Sequence, residues 1–231
     1  MRIAEIFASV QGEGVLTGTP SVFVRTSGCN LRCWFCDTPY ASWNPEGDTL
    51  DLEEICRQVC IHDHRHVVLT GGEPLVAAGV CELTQRLGEV GRHVTIETAG
   101  TVVPDGPLHC DLMSISPKLS NSAPDAAAEP AWHHRHEATR HRPAAVRSLM
   151  AAAADYQLKF VVGSILDAEE VLEYLQHVPE AEEAKVLLMP RGVTRDELEC
   201  QKDWLGPWCE QHRFQLCDRM HIHWFGNKRG T

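Results

Sequence analysis

The sequence predicts an α/β fold, a partial, open TIM-like barrel of about six mainly parallel strands with helices outside it. Three observations lead there. Short β-rich runs alternate with stretches of helical periodicity along the 231 residues. The strand–helix pairs have the length of right-handed crossover units. Glycine-, acid- and lysine-bearing segments fall where the runs end, and folds of this kind gather their chemistry at the carboxyl ends of strands.

In chain order, Ser21-Val22-Phe23-Val24-Arg25 reads as a strand that delivers the chain to a cysteine-bearing loop. Residues 50–61 predict a helix, because Leu52, Ile55, Cys56 and Val59 recur at three- and four-residue spacing. Residues 66–70 read as a strand stopped by Gly71-Gly72, with a helix over 75–89 behind it. Strands are expected at 93–97 and 112–115, then at 157–162 and 185–189, with a helix over 167–177 between the last two. Residues 194–212 predict a helix that Gly206-Pro207 should break, and His221 and His223 alternate in a final strand-like run. Residues 119–148 interrupt the pattern: Ser120, Asn121, Ser122, Pro124, Pro130 and Pro143 punctuate a run carrying His133, His134, His136 and His141. This reads as a flexible insertion in a single domain spanning 1–231, solvated and without ordered metal-ligand spacing; lid and passive insertion both stay open.

Hydrophobic residues at 43% and charged residues at 23% are ordinary for a soluble globular chain. No apolar run approaches the roughly 18 residues needed to span a bilayer. Ten cysteines without a secretory signal point to a reducing cytoplasm. A net charge of −11 argues against a nucleic-acid partner. The basic residues around 135–147 and at Lys228-Arg229 are not interleaved with stacking aromatics, so the expected substrate is small.

Cys29, Cys33 and Cys36 lie in Cys-x3-Cys-x2-Cys spacing, followed directly by Asp37. Three thiolates on one short loop suit three corners of a four-iron cluster whose fourth iron stays open to a small molecule. A structural zinc site is the alternative, but it needs a fourth Cys or His, and the spacing supplies no second Cys-x2-Cys pair. A disulfide framework fits neither the chain length nor the cysteine density.

With Gly71-Gly72-Glu73-Pro74 after an apolar strand, this pattern resembles the radical S-adenosylmethionine enzymes. More narrowly, the chain is similar to the 7-carboxy-7-deazaguanine synthases of queuosine biosynthesis. Gln11-Gly12-Glu13-Gly14, Arg25, Asp37-Thr38, Thr70-Gly71-Gly72-Glu73-Pro74, Glu97-Thr98-Ala99-Gly100, Ser116-Pro117-Lys118 and the segment 226–231 carry that likeness. It covers nearly the whole chain except about 119–148.

The resemblance implies a [4Fe–4S] cluster on Cys29, Cys33 and Cys36, and S-adenosylmethionine bound at the open iron. One electron then cleaves a carbon–sulfur bond to leave a 5′-deoxyadenosyl radical. It implies Phe35, Cys36 and Asp37 beneath the adenine and ribose, with Ser116, Pro117, Lys118, Leu188, Met189, Pro190 and Arg191 on the other side. The glycines permit close backbone approach; Gly72 is expected to meet the methionyl group through its amide and Glu73 to receive the ammonium.

The implied substrate is 6-carboxy-5,6,7,8-tetrahydropterin, which loses hydrogen from C6 and contracts to 7-carboxy-7-deazaguanine with loss of ammonia. Arg25 would clamp its carboxylate, Val10, Gln11, Gly12 and Glu13 would read the pterin edge, and Thr70 would donate a further bond. Thr231 would contact the ring if the tail folds back, and His221 or His223 would approach it. Thr38 would hold Mg2+ shared with the substrate. A flavodoxin- or ferredoxin-like reducing protein, a homodimer, and no membrane or nucleic-acid partner complete the expectation. Without the resemblance, Leu188-Met189 reads as core and Thr38 as a turn cap; for Arg25 the alternative is a surface ion pair, but its place two residues after Phe23 on the cysteine-loop side favours the functional reading. The competing activities are a glycyl-radical activase acting on a partner protein and an electron carrier.

Overall fold

The structure, a computed structural model, describes residues 1–231. Its strands are β1 (Arg2–Val10), β2 (Pro20–Thr26), β3 (Asp48–Thr49), β4 (His66–Gly71), β5 (His93–Thr98), β6 (Leu112–Ile115), β7 (Asp155–Val162), β8 (Val186–Pro190) and β9 (Gln215–Leu216). They form one open sheet in the order β3-β1-β2-β4-β5-β6-β7-β8-β9. Every neighbouring pair from β2 to β9 is parallel. β1 runs antiparallel to both β2 and β3. The helices are α1 (Leu52–Cys60), α2 (Val80–Glu89), α3 (Pro130–Arg140), α4 (Pro143–Ala152), α5 (Ile165–Gln176), α6 (Arg195–His212) and α7 (Met220–Phe225).

Strand alternation gives the sheet two chemically different faces. Val22 and Val24, Val67 and Leu69, Val94 and Ile96, Met113 and Ile115, and Leu158 and Phe160 turn to the helices and belong to one apolar core. The residues between them put Arg25, Thr70, Glu97, Ser114 and Lys159 on the other face, where they line a common cleft. The helices that cover the apolar face are started by local chemistry. The Asp51 carboxylate accepts from the Glu54 amide at 2.8 Å to cap α1. Ser164 caps α5, and a reciprocal Thr194–Glu197 capping box opens α6.

The structure corrects the sequence reading in four places. The helix expected from residue 75 begins at Val80, because Pro74–Val76 make only a 3-10 turn and Gly79 follows at φ 85°. α6 runs unbroken through Pro207. Proline removes one helical hydrogen bond there, but Leu198, Leu205 and Cys209 on one face are buried and hold the helix on the sheet. The run bearing His221 and His223 is the helix α7 rather than a strand. Residues 119–148 are not a loop: after a 3-10 turn at Ser120–Ser122 they fold into α3 and most of α4. Pro130 and Pro143 are the first residues of those helices, where a missing amide is harmless and the fixed φ is already helical. Val146 and Leu149 are completely buried in the main core.

This packing makes Leu149→Ala a test of α4, the helix into which the corrected segment runs. Urea unfolding should show a loss of about 2–5 kcal/mol, as for a core leucine. A loss below about 0.5 kcal/mol would return the segment to the surface.

Candidate active site

The carboxyl ends of the parallel strands, the cysteine loop and the chain's last residues enclose a cleft of about 790 Å³. Cys29, Cys33 and Cys36 all line it, and no other cysteine does. The loop leaves β2 through Gly28, whose φ of 112° is open to glycine alone. Its amide donates to Ala41 O at 2.8 Å, closing the loop on itself. Burial pushes the Cys29 and Cys33 thiols up to about 12, Lys118 opposing the shift at Cys33. Thiols raised in this way are poor nucleophiles, because the thiolate is the reactive form. No three His, Cys, Asp or Glu side chains, these thiols included, are grouped closely enough to hold a single metal ion. Three thiols on one short loop, all lining this cleft, are a donor set of the chemistry a polynuclear iron–sulfur cluster takes.

The Gly-Gly-Glu-Pro segment has another task than the one expected. A β-carbon at Gly72 would meet Gly28 O at 2.1 Å and Ala41 O at 2.6 Å, so the strand end lies directly on the cysteine loop. The Gly72 amide already donates to Thr26 O at 3.1 Å, and the Glu73 amide donates to Gly28 O at 2.9 Å. Gly72 therefore lines the cleft without a free amide to offer it. The Glu73 carboxylate is wholly buried outside the cleft. It accepts from Thr98 Oγ1 at 2.7 Å, the Ala99 amide at 2.8 Å and the Leu75 amide at 3.1 Å. It ties the ends of β4 and β5 together instead of receiving an ammonium.

Phe35, Asp37, Thr38, Ser116 and Lys118 line the cleft beside the thiols. The Lys118 ammonium is held by Ser116 through its carbonyl at 2.7 Å and its hydroxyl at 2.6 Å. Arg191 lies over the rings of Trp34 at 5.0 Å and Phe35 at 5.9 Å. Of the β8 segment only Met189 and Arg191 reach the cleft, while Leu188 is fully buried in the core. Pro190 shares its side of the pleat, as alternation requires, and Pro117 is likewise not in the lining.

Val10, Gln11, Gly12, Glu13, Arg25, Thr70 and Thr231 line the same cleft. Gln11 donates to Glu97 Oε1 at 3.0 Å. Arg25 uses only its Nε within the protein, donating to Glu5 at 2.7 Å, and Tyr40 donates to the same oxygen at 2.8 Å. Arg229 brings the tail over this pair: it donates to Glu5 at 3.1 Å and Glu46 at 2.8 Å and lies 4.1 Å over the Tyr40 ring. His221 lines the cleft 3.9 Å from Glu13, whereas His223 turns to Asp218 at 3.1 Å.

Glu13 is the centre of a largely buried charge cluster. Lys159 and Arg219 both donate to it, the latter at 3.0 Å, and Arg219 also pairs with Asp37. Burial alone would raise the Glu13 carboxyl, yet Lys159 and Arg219 hold it far below the usual carboxylate range. Burial lowers Lys159, but Glu13 and Glu97 bring it above its ordinary value. Burial draws His221 below the usual imidazole range against the pull of Glu13.

Lys159, Arg219 and Glu5 are the partners that sequence reasoning missed. Lys159 was detectable: it is a charge inside an apolar strand, on the alternate side from Leu158 and Phe160. Arg219 follows β9 in a short connection without periodicity, and nothing local marks it.

Glu13→Ala would leave two buried cations without their shared carboxylate, so a stability loss of about 3–5 kcal/mol is expected at pH 7. Because the folded carboxyl titrates below the unfolded one, its contribution is present above the unfolded value of about 4.3 and fades as pH falls through the folded value. Glu13→Gln should therefore flatten the acid limb of the stability curve below about pH 4.5. Parallel acid limbs for the two proteins would contradict the ion-pair assignment.

A model of the radical SAM superfamily matches residues 23–180. The chain is 50% identical over its full length to the 7-carboxy-7-deazaguanine synthase of Rhodopirellula baltica, covering 89% of that protein. It is 44% identical to the enzyme of the same name from Halobacterium salinarum, over 96% of this chain and 89% of the relative. In fold it is similar to the crystal structure of QueE from Escherichia coli, with a TM-score of 0.68 and 24% identity over 95% of this chain and 94% of that one. The cysteine-lined cleft thus sits in a protein whose sequence kinship runs from end to end, and the chain belongs to the radical SAM superfamily and, within it, to the 7-carboxy-7-deazaguanine synthases.

Proposed function

We propose that the chain converts 6-carboxy-5,6,7,8-tetrahydropterin to 7-carboxy-7-deazaguanine and ammonia. Product and ammonia together hold every atom of the substrate, so the conversion is redox-neutral and asks the protein for no stoichiometric oxidant. The observation that carries the proposal is the shared cleft: three cluster-spaced thiols and a polar inner sheet face open into one enclosure. The chain-long kinship with proteins named as synthases favours this reading over the glycyl-radical one. No helix is long and apolar enough to cross a membrane.

Cys29, Cys33 and Cys36 would hold a [4Fe–4S] cluster, and the bound cluster with S-adenosylmethionine supplies a reactive carbon radical after one-electron reduction by a flavodoxin- or ferredoxin-like protein. The remaining work belongs to the side chains, since such chemistry needs a held target and no competing C–H bond in reach. Lys118, fixed by Ser116, offers a positive charge near the cysteine loop, and Phe35, Met189 and Arg191 form the wall beside it. Arg25, anchored through Nε to Glu5, keeps its two terminal amines for a substrate carboxylate. Glu97, held by Gln11 through one oxygen, has its second carboxylate oxygen as an acceptor suited to the guanidine-like edge of a pterin. Thr38 also lines the cleft, and its hydroxyl is the protein oxygen that would hold Mg2+, a hard cation that would neutralise a substrate carboxylate there.

Anaerobic reconstitution with both small molecules should give the deazaguanine product. Cys33→Ala should lose cluster and turnover while Cys56→Ala, changed on α1 away from the cleft, keeps both. Equal iron loss from the two variants would refute the ligand assignment. Arg229→Ala frees the tail from β1, so the substrate KM should rise ~5-fold with kcat within ~2-fold. An unchanged KM would remove the tail from substrate binding.

A further inference from the structure

The histidine-bearing segment between β6 and β7 plays no part in the reaction described above, yet it forms the outer wall of the cysteine loop. The Arg32 amide donates to His136 Nδ1 at 3.2 Å. The Trp34 amide donates to Ser122 O at 3.2 Å, and the Trp34 indole donates to Asn121 O at 2.8 Å. The His136 ring is completely buried, and its two nitrogens do different work. Because Nδ1 accepts, Nε2 carries the proton and donates to Ser122 Oγ at 2.9 Å; that hydroxyl in turn donates to Leu119 O at 2.6 Å.

The Arg32 side chain completes the arrangement. Its Nη1 donates to Cys29 O at 2.8 Å and Leu31 O at 2.7 Å, so the guanidinium ties together carbonyls of the first cysteine span. That guanidinium lies 3.9 Å over the Trp132 ring of α3 and 5.9 Å from the Trp43 ring. Trp43 itself donates to Cys33 O at 2.9 Å. Both the amide and the side chain of the residue preceding Cys33 are thus set by α3.

We propose that His136 is a positioning residue for the cysteine loop, its Nδ1 fixing the Arg32 amide and so the Cys29–Cys33 span, with Trp132 fixing the Arg32 side chain. The inference rests on the reading that these cysteines hold the cluster. Partners that orient a metal's ligands typically change affinity by ~10–100-fold when removed. An asparagine oxygen can stand where Nδ1 stands, and a glutamine amide can stand where Nε2 stands. His136→Asn therefore keeps the acceptor for Arg32, whereas His136→Gln keeps only the contact with Ser122.

The test is iron release to a chelator from the reconstituted full-length protein, followed by absorbance, beside thermal midpoints of the metal-free variants. His136→Asn should release iron within ~2-fold of the parent rate. His136→Gln and Trp132→Leu should release it ~10-fold faster or more, with the metal-free midpoints of the two His136 variants within a few degrees of each other. Equal release from the asparagine and glutamine variants, or rates that merely follow the thermal midpoints, would overturn the proposal. A parent protein that takes up no iron would sink the cluster reading together with it.

Discussion

The period-two alternation of the parallel strands is the constraint on which the rest depends. A parallel sheet covered on both faces usually reads as continuous apolar runs. Here one face follows that rule, with Val24, Leu69, Ile96 and Phe160 wholly buried under the helices. The opposite face carries Arg25, Thr70, Glu97, Ser114 and Lys159, and each must find a partner inside the molecule or in the cleft. Glu13 pairs with Lys159, Gln11 with Glu97 and Glu5 with Arg25. All three partners come from β1 or the turn after it, so the antiparallel edge is the electrostatic complement of the barrel interior.

The cysteine loop is positioned by contacts from several directions. The Gly72 strand end lies against it from β4, where no side chain would fit. Glu73 fixes that strand end to β5 through Thr98 and Ala99. From outside, α3 reaches Arg32, and the chain's last turn reaches Tyr40 through Arg229. A loop of this kind, without helix or strand between Thr26 and Asp48, has little rigidity of its own. Its geometry is borrowed from neighbours whose packing is settled elsewhere, which is what a preorganised ligand set requires.

Much of this was legible in the sequence, for identifiable reasons. The strands β2 and β4 to β8 announce themselves as short apolar runs stopped by polar or glycine residues, and several of their ends carry the motif residues, whereas β3, only Asp48–Thr49, gives no such signal. The cysteine spacing, Arg25, Thr70 and Ser116-Lys118 were legible because each motif sits at a strand end. β1 was not, since most of it is only half-buried and its pairing depends on a strand that lies beyond a nine-residue connection. Pro130 and Pro143 misled because proline marks a break and a helix start with the same letter. The roles of Gly72 and Glu73 were misassigned because a motif names residues without saying which of their atoms are already bonded. Arg219 became visible only through tertiary contact with Glu13 and Asp37.

The central claim is that three thiols and no fourth protein ligand hold a four-iron group facing the cleft. Mössbauer spectroscopy of the anaerobically reconstituted protein with and without S-adenosylmethionine addresses it most directly. The account predicts four irons per chain, one of which changes its isomer shift when the small molecule is added while the others do not. Bound zinc in place of iron, or a cluster whose irons all ignore S-adenosylmethionine, would contradict it.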